Sequence, residues 1–174
     1  DLGWVNQKAF GPIYYKLKTI ICRYVDDLIL AGPRGQAEKL AAEIGNVLSL
    51  SMLEVSSEML SIQFCFSRPV NGITKCVASQ IGYAKSLIGR FVEDAKVHKL
   101  GMSPTPCVAN FTPEPDDDQV GILDCRMHNG GLWYLARGTR FELLQAVGIT
   151  SRYLDKWTRR NDRQLTRIFE YLNG

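Results

Sequence analysis

Two adjacent aspartates, Asp26 and Asp27, lie between the short apolar runs 19–25 and 28–31, and no other feature constrains the fold as strongly. Each run has the length and the β-branched content of a strand, so the segment predicts a β-hairpin with both carboxylates at its tip. Neighbouring carboxylates in an apolar setting repel each other and lose hydration unless a cation compensates them. A divalent cation is the natural compensator, although an ordinary polar turn between strands is the better explanation of the dipeptide taken alone.

A magnesium site at such a tip suits phosphoryl transfer. Mg²⁺ binds a few carboxylates together with water and substrate phosphates, and two ions about 4 Å apart can activate an attacking oxygen and stabilise a leaving one. Phosphoryl transfer depends mainly on positioning, which a tight hairpin supplies.

The remaining apolar periodicity predicts an α+β fold with a helical C-terminal part. The residues 35–50 have the spacing of an amphipathic helix, and 60–66 alternate as a strand with one buried face. Asn71-Gly72 is a type I′ turn signal that joins this strand to a second one at 73–78. Further helices are expected around 84–91, 132–136, 141–153 and 165–172.

Charge is distributed unevenly along the 174 residues. Residues 93–124 carry seven acidic and two basic side chains, concentrated in the run PEPDDD at 113–118, whereas residues 125–174 carry nine basic and four acidic ones. The acidic, proline-rich stretch predicts a linker over the surface, and the basic end suits contact with phosphates, although a solvated helix face with Asp155, Asp162 and Glu170 is an alternative.

Cysteine and histidine spacing argues against several other chemistries. The five cysteines have irregular spacing without a CxxC pair, so we expect reduced, mostly packed thiols in an intracellular protein. His98 and His128 are interpreted as turn or surface residues, because no nucleophile signature accompanies them. No apolar run reaches the length of a membrane span, and the first residues do not form a signal peptide.

The sequence Tyr24-Val25-Asp26-Asp27 followed by Leu-Ile-Leu-Ala-Gly resembles the YxDD box of reverse transcriptases, in the form found in copia-type LTR retrotransposons. Further blocks similar to this family follow in the family's order and extend the resemblance from about Gly3 to Gly174. These blocks are Ala78-Ser79-Gln80 with Tyr83, Leu87 and Phe91; Pro104-Thr105-Pro106; 131–136 with Thr139-Arg140; Ser151-Arg152-Tyr153; and 167–174. One departure is Ser61, which stands where the family has glycine.

The resemblance implies a partial polymerase palm at 1–103 with the YVDD hairpin and a primer-gripping hairpin, an acidic linker at 104–124, and a helical basic thumb or connection region at 125–174. It implies that Asp26 and Asp27 are catalytic carboxylates that bind Mg²⁺ or Mn²⁺, and that Tyr24 and Val25 lie beside the primer end and the incoming nucleotide. The nucleic-acid contacts are then expected from Arg137, Arg140, Arg152, Arg159, Arg160, Arg163 and Arg167.

The implied partners are an RNA template, a DNA primer, deoxynucleotides and the rest of a Pol polyprotein, with no membrane. The implied location is the cytoplasm, including retrotransposon particles, and not the secretory route. The family's third palm aspartate and its fingers precede the YxDD box and are not found among these residues. We therefore expect a palm and thumb portion that is a poor or inactive polymerase alone.

Two alternatives from other classes stay open. One is a degenerate retroelement-derived module that binds nucleic acid or protein without catalysis. The other is a structural α+β domain that binds no nucleic acid. Nucleic-acid binding that is unaffected by removal of the metal would favour the module without catalysis. If neutralising the C-terminal arginines leaves no binding to lose, the structural domain is favoured.

Overall fold

The computed structural model describes residues 2–8, 11–50, 57–108, 111 and 120–174, and within them the fold is α+β with two small antiparallel sheets and five helices. The strands are β1 (Val5–Asn6), β2 (Ile13–Lys16), β3 (Thr19–Tyr24), β4 (Asp27–Ala31), β5 (Glu58–Met59), β6 (Ile62–Phe66) and β7 (Cys76–Ser79). The helices are α1 (Arg34–Gly45), α2 (Ile81–Ala95), α3 (Cys125–Gly138), α4 (Leu144–Ser151) and α5 (Arg159–Leu172), with a 3₁₀ turn at Phe141–Leu143.

The chain divides into two compact units, 1–59 and 60–174. This boundary differs from the expected boundaries at 103 and 124, because α2 belongs to the second unit. The reason is its apolar stripe: Leu87 and Phe91 lie in the same core cluster as Leu132, Leu165 and Phe169. A helix with such a stripe is stable only where a partner covers it.

The first unit is a four-stranded antiparallel sheet in the order β1-β2-β3-β4, with α1 packed against β4. Burial alternates along β3, where Thr19 and Ile21 are buried and Ile20 is exposed, as the period of two requires. The buried side chains of α1 are Leu40, Ala41 and Ile44, in agreement with the predicted helical stripe. The helix ends at Gly45 and not near 50, since glycine disfavours a helix interior.

The predicted second hairpin is present in the unit that follows. The strands β6 and β7 pair from Gln63↔Ser79 to Phe66↔Cys76. Asn71 and Gly72 have φ values of 51° and 76°, which is the type I′ signature. The strand begins at Ile62 and not at Leu60, and its predicted buried face is only half-buried at Ile62 and Phe64.

The start of β6 differs from the prediction because the two preceding residues turn the chain. Leu60 and Ser61 both have left-handed φ values, 52° and 57°, which end any extended strand there. The hydroxyl of Tyr134 donates a hydrogen bond to the Leu60 carbonyl and holds this turn against α3. Ser61 therefore occupies a conformation that glycine adopts at lower cost, at the position where the resembled family has glycine.

Four helices form the main core of the second unit. Phe91 of α2 and Phe169 of α5 stack with their ring centroids 4.1 Å apart, and the side chains around them have almost no solvent exposure. The α5 helix begins with a capping box between Thr158 and Asn161, and the Asp124 side chain caps α3. The predicted stripe of α5 is confirmed, because Leu165, Ile168 and Phe169 are buried. The prediction of a helical C-terminal part is also confirmed.

Parts of the expected surface linker are packed. Phe111 is only 8% exposed and meets the ring of Tyr153 edge-on, 6.4 Å between centroids. The Gln164 amide donates to the Pro106 carbonyl at 2.9 Å. Phe111 is therefore packed, because an aromatic side chain gains more from burial than the polar residues around it, whereas Pro104, Thr105 and Val108 are exposed. The acidic run 114–118 lies outside the described residues.

The thiols and histidines give a mixed result. All five cysteines are free, but the expectation that most of them are packed is wrong, because Cys65 and Cys76 are exposed and the other three are only half-buried. His98 is exposed, but the surface interpretation of His128 is wrong, since its side chain has 0% exposure. Its burial follows from the α3 register, which places it one turn before the buried Leu132. No helix in the described part of the chain is both long and apolar enough to cross a membrane.

Candidate functional site

The two predicted carboxylates lie at the tip of the β3–β4 hairpin. The register runs from Ile20↔Ala31 to Tyr24↔Asp27, so that Val25 and Asp26 are the turn residues and Asp27 begins β4. Val25 has a φ of 51° and is 76% exposed. A β-branched residue rarely adopts this conformation, so the tip holds local backbone strain, a feature that is concentrated at functional sites.

Asp26 and Asp27 are both exposed, and neither forms an ion pair or side-chain hydrogen bond with another described residue. Tyr24 and Asp27 are directly opposed in the register, which places their side chains on the same face of the sheet. Tyr24 is 54% exposed, so the phenol and the carboxylate are accessible together. The structure thus brings Tyr24, Val25, Asp26 and Asp27 to one accessible tip.

Carboxylate oxygens are the ligands that a hard divalent cation prefers, so the donor chemistry of this tip fits Mg²⁺ or Mn²⁺. The tip offers two carboxylates. Among the described residues, no group of three or more acidic, histidine or cysteine side chains is arranged to hold a metal ion. A cation bound here would complete its coordination with water or with phosphate oxygens of a substrate, as Mg²⁺ commonly does.

The sheet face that carries Tyr24 is open and apolar. In the first unit, the pairings Val5↔Tyr15, Tyr15↔Ile20 and Ile20↔Ala31 continue across all four strands on this face. The side chains of Val5, Tyr15, Ile20 and Tyr24 are exposed there. The hairpin tip therefore lies at the end of an exposed sheet face that offers aromatic and aliphatic contacts.

The predicted arginines of the second unit fall into two groups. Four have partners: Arg137 lies over the Trp133 ring, Arg160 over Phe111, Arg140 pairs with Glu142, and Arg167 donates to Thr105. The remaining three, Arg152, Arg159 and Arg163, are exposed and form no ion pair with another described residue. Arg159 and Arg163 are one turn apart on α5 and present their charge on one side of the helix.

Two of the three acidic side chains that could neutralise these arginines have other partners. Asp155 pairs with Arg126 at 2.7 Å. Asp162 is buried and accepts the Ile122 N–H at 2.9 Å and the Trp157 indole N–H at 2.7 Å. Two of the three acids that would neutralise the helix face are therefore engaged elsewhere. The positive charge of Arg159 and Arg163 stays available for contact with phosphates.

Arg140 is held in place by its neighbours. Burial lowers the pKa of its guanidinium, but the Glu142 carboxylate and the Tyr171 hydroxyl outweigh this and raise the pKa above its ordinary value. The guanidinium also lies 5.6 Å from the Tyr171 ring centroid. Arg140 carries a positive charge that Glu142 largely neutralises. It is therefore a weaker phosphate ligand than its place among the C-terminal arginines suggests.

The polar pair of Asp94 on α2 and His128 on α3 was not predicted from the sequence, and only its His128 member is fully buried. His128 Nε2 lies 2.9 Å from Asp94 Oδ2, and the His128 ring meets Phe91 and Phe169 edge-on. Burial raises the pKa of Asp94, but the Asp124 amide and His128 outweigh it and hold the pKa below its ordinary value. The sequence did contain a signal for this contact. Asp94 follows the apolar Phe91 by one helical turn, so the two side chains lie on the same face of α2.

The chain was compared with protein families, curated proteins and solved structures, and none of them matches it.

Proposed function

We propose that this chain is part of a reverse-transcriptase-type polymerase, which transfers deoxynucleotides to a primer 3′ end on an RNA or DNA template. The observation that carries the proposal is the β3–β4 tip, where Asp26 and Asp27 are accessible and without partners beside an exposed Tyr24. An ordinary surface turn does not require a strained valine followed by two carboxylates. The order of motifs along the sequence supports the same assignment.

The roles of the residues follow from their placement. Asp26 and Asp27 hold the cation, and Val25 and Tyr24 provide the surface next to the primer end. The cation, when bound, supplies positive charge that offsets the charge of the phosphates during attack by the primer oxygen. The strained two-residue turn keeps the carboxylates in a fixed position, which is the main contribution that a protein makes to this reaction.

Metal binding at the tip is tested first, with Mn²⁺ as a paramagnetic probe and amide NMR signals of the whole chain as the readout. We expect Mn²⁺ to broaden the amide signals of 25–28 selectively. The double variant Asp26→Asn plus Asp27→Asn removes this broadening, whereas the matched control Glu93→Gln, an exposed acid on α2, leaves it unchanged. Broadening confined to the acidic run 114–118 would overturn the assignment.

Activity supplies the second test. Any Mg²⁺-dependent primer extension by the wild-type chain on an RNA template must be lost in the Asp26→Asn plus Asp27→Asn variant. The loss of one preorganised electrostatic contact in an active site commonly reduces turnover by about 10²–10³-fold, and two adjacent carboxylates should exceed this. Extension that survives the double substitution would refute the role of the tip.

The second candidate function is a module that binds nucleic acid without catalysis. It is favoured by the accessible charge of Arg152, Arg159 and Arg163, which needs no metal site to attract phosphates. Salt-dependent binding to an RNA–DNA duplex, combined with absence of Mn²⁺ binding at the hairpin tip, would favour this candidate. Binding that depends on both regions supports the polymerase.

A further inference from the structure

The segment 103–106 has the sequence Ser-Pro-Thr-Pro and lies against α5 in the second unit. A proline fixes its own φ and biases the residue before it towards extended backbone. Protein kinases of the proline-directed class select a serine or threonine that is followed by proline. The segment therefore offers two candidate phosphorylation sites, Ser103 and Thr105.

The two hydroxyl groups differ in their surroundings. Thr105 is exposed, and its Oγ1 accepts a hydrogen bond from Arg167 Nη2 at 2.9 Å while it donates to the Cys107 carbonyl at 3.2 Å. Ser103 is half-buried, and its hydroxyl donates to the Thr105 carbonyl at 2.9 Å. Thr105 is therefore the better phosphate acceptor, because it is accessible and already has a guanidinium beside its oxygen.

Arg167 has a donor that Thr105 does not use. The Nε and Nη2 atoms form one edge of the planar guanidinium, and this edge can bind two oxygens of one anion side by side. Nη2 contacts Thr105, whereas Nε is hidden from solvent and has no acceptor in the described part of the chain. A buried donor without an acceptor is costly. A phosphate on Thr105 would bring three acceptor oxygens to this edge in place of one hydroxyl.

The charge around Arg167 favours an anion. Arg167 forms no ion pair with another described residue. Of the two acids on α5, Asp162 is buried and accepts backbone and indole N–H groups, and Glu170 lies against Gly101. Arg163 precedes Arg167 by one helical turn, is exposed and also forms no ion pair with a described residue. An anion on Thr105 would therefore meet positive charge that no described carboxylate neutralises.

We propose that Thr105 is phosphorylated by a proline-directed kinase and that Arg167 then binds the phosphate. Thr105 Oγ1 attacks the γ-phosphorus of ATP, an Oγ1–P bond forms, the bond from this phosphorus to the bridging oxygen breaks, and ADP leaves. The hydroxyl proton, now donated to the Cys107 carbonyl, passes to a base of the kinase. The phosphate oxygens accept from Nε and Nη2 of Arg167, so that a charge-assisted pair holds the segment 103–106 on α5.

The first test treats the whole chain with a cyclin-dependent kinase, which is proline-directed, in the presence of ATP and Mg²⁺, and locates the phosphate by mass spectrometry. We expect phosphorylation of Thr105. It should be lost in Thr105→Val and retained in the matched control Ser103→Ala, which removes the other hydroxyl group of the segment. Phosphate found only on Ser103, or only on Thr112 outside the described residues, would overturn the proposal.

A synthetic peptide of residues 100–108 shows whether the kinase accepts the sequence itself. Modification of the peptide but not of the whole chain would overturn the proposal, because the Thr105 hydroxyl is then inaccessible in the fold. If neither is modified, the assignment to a proline-directed kinase is wrong. The site does not depend on the polymerase proposal, so the Asp26→Asn plus Asp27→Asn variant should be phosphorylated to the same extent as the wild type.

The second test follows the ³¹P signal of the phosphorylated chain as the pH changes. A guanidinium beside the phosphate favours its dianion, so the midpoint should lie at lower pH in the wild type than in Arg167→Gln. Arg167→Lys, which keeps the charge without the paired donors, should give an intermediate midpoint. The control Arg159→Gln removes an exposed arginine two turns away on α5 and should leave the midpoint unchanged. Equal midpoints in the wild type and both Arg167 variants would overturn the role of Arg167.

Discussion

Replacement of Asp94 by alanine removes the partner of the buried His128, and we expect it to lower the free energy of unfolding of the helical unit by about 3 kcal/mol. Two hydrogen bonds are lost. Asp94 Oδ2 lies 2.9 Å from His128 Nε2 and accepts the Asp124 N–H at 3.1 Å. Alanine offers no acceptor, so the imidazole nitrogen is left without a partner in a site that has no solvent exposure.

The size of the effect follows from these two contacts. A hydrogen bond to a charged group contributes roughly 1.5–3 kcal/mol. The Asp124 amide adds less, about 1 kcal/mol, because the Asp94 side chain is 33% exposed and water can replace it there. With a urea m-value of about 1.5 kcal/mol per M for a domain of this size, the midpoint should fall by about 2 M.

The pH dependence has a definite sign. The pKa of Asp94 in the folded chain lies below the ordinary value of 3.8. A carboxylate with a lowered pKa stabilises the fold above its ordinary pKa, and this contribution is lost as the pH falls through the folded value. The difference between wild type and Asp94→Ala should therefore be largest above about pH 4 and should shrink on further acidification.

Urea denaturation followed by tryptophan fluorescence provides the assay, in a Trp4→Phe background so that the signal comes from Trp133 and Trp157 of the second unit. The control is Glu93→Ala, an exposed neighbour whose replacement should change the stability by less than about 0.5 kcal/mol. If Asp94→Ala is no more destabilising than Glu93→Ala at neutral pH, the reasoning about the buried pair is refuted.

Four further predictions concern two glycine positions, the turn before β6 and the basic helix α5. Gly138→Ala should destabilise by about 1–3 kcal/mol in the same urea assay, since its Cβ would lie 2.1 Å from the side-chain oxygen of the α2 N-cap residue. Gly89→Ala, in the same assay, should instead stabilise by up to about 1 kcal/mol, because nothing lies within 4 Å of its added Cβ in α2; a loss would contradict this. Ser61→Gly should raise the thermal midpoint slightly, because the left-handed φ of 57° costs serine more than glycine; a lower midpoint would show that the turn is unstrained. Arg159→Gln plus Arg163→Gln should reduce the log–log salt slope of duplex binding by about 1.8, and an unchanged slope would exclude α5 from the interface.

Local patterns were sufficient for the elements whose residues interact over short sequence distances. The type I′ turn at Asn71-Gly72, the YVDD hairpin and the α5 stripe depend on turn chemistry and on periods of two or 3.6 residues, and the structure has all three. The candidate carboxylate tip belongs to this class, because two strands joined by a two-residue turn define it completely. Its chemical role stays a prediction until the Mn²⁺ experiment is done.

The sequence by itself therefore determined the helices and strands, and the hairpin tip that carries Asp26 and Asp27. The tertiary structure decided which side chains are available. Arg159 stays accessible because Asp155 and Asp162 bind elsewhere, and the buried His128 has a partner because Asp94 of another helix lies against it. These contacts join residues far apart in sequence, and no local periodicity encodes the distance between two helices.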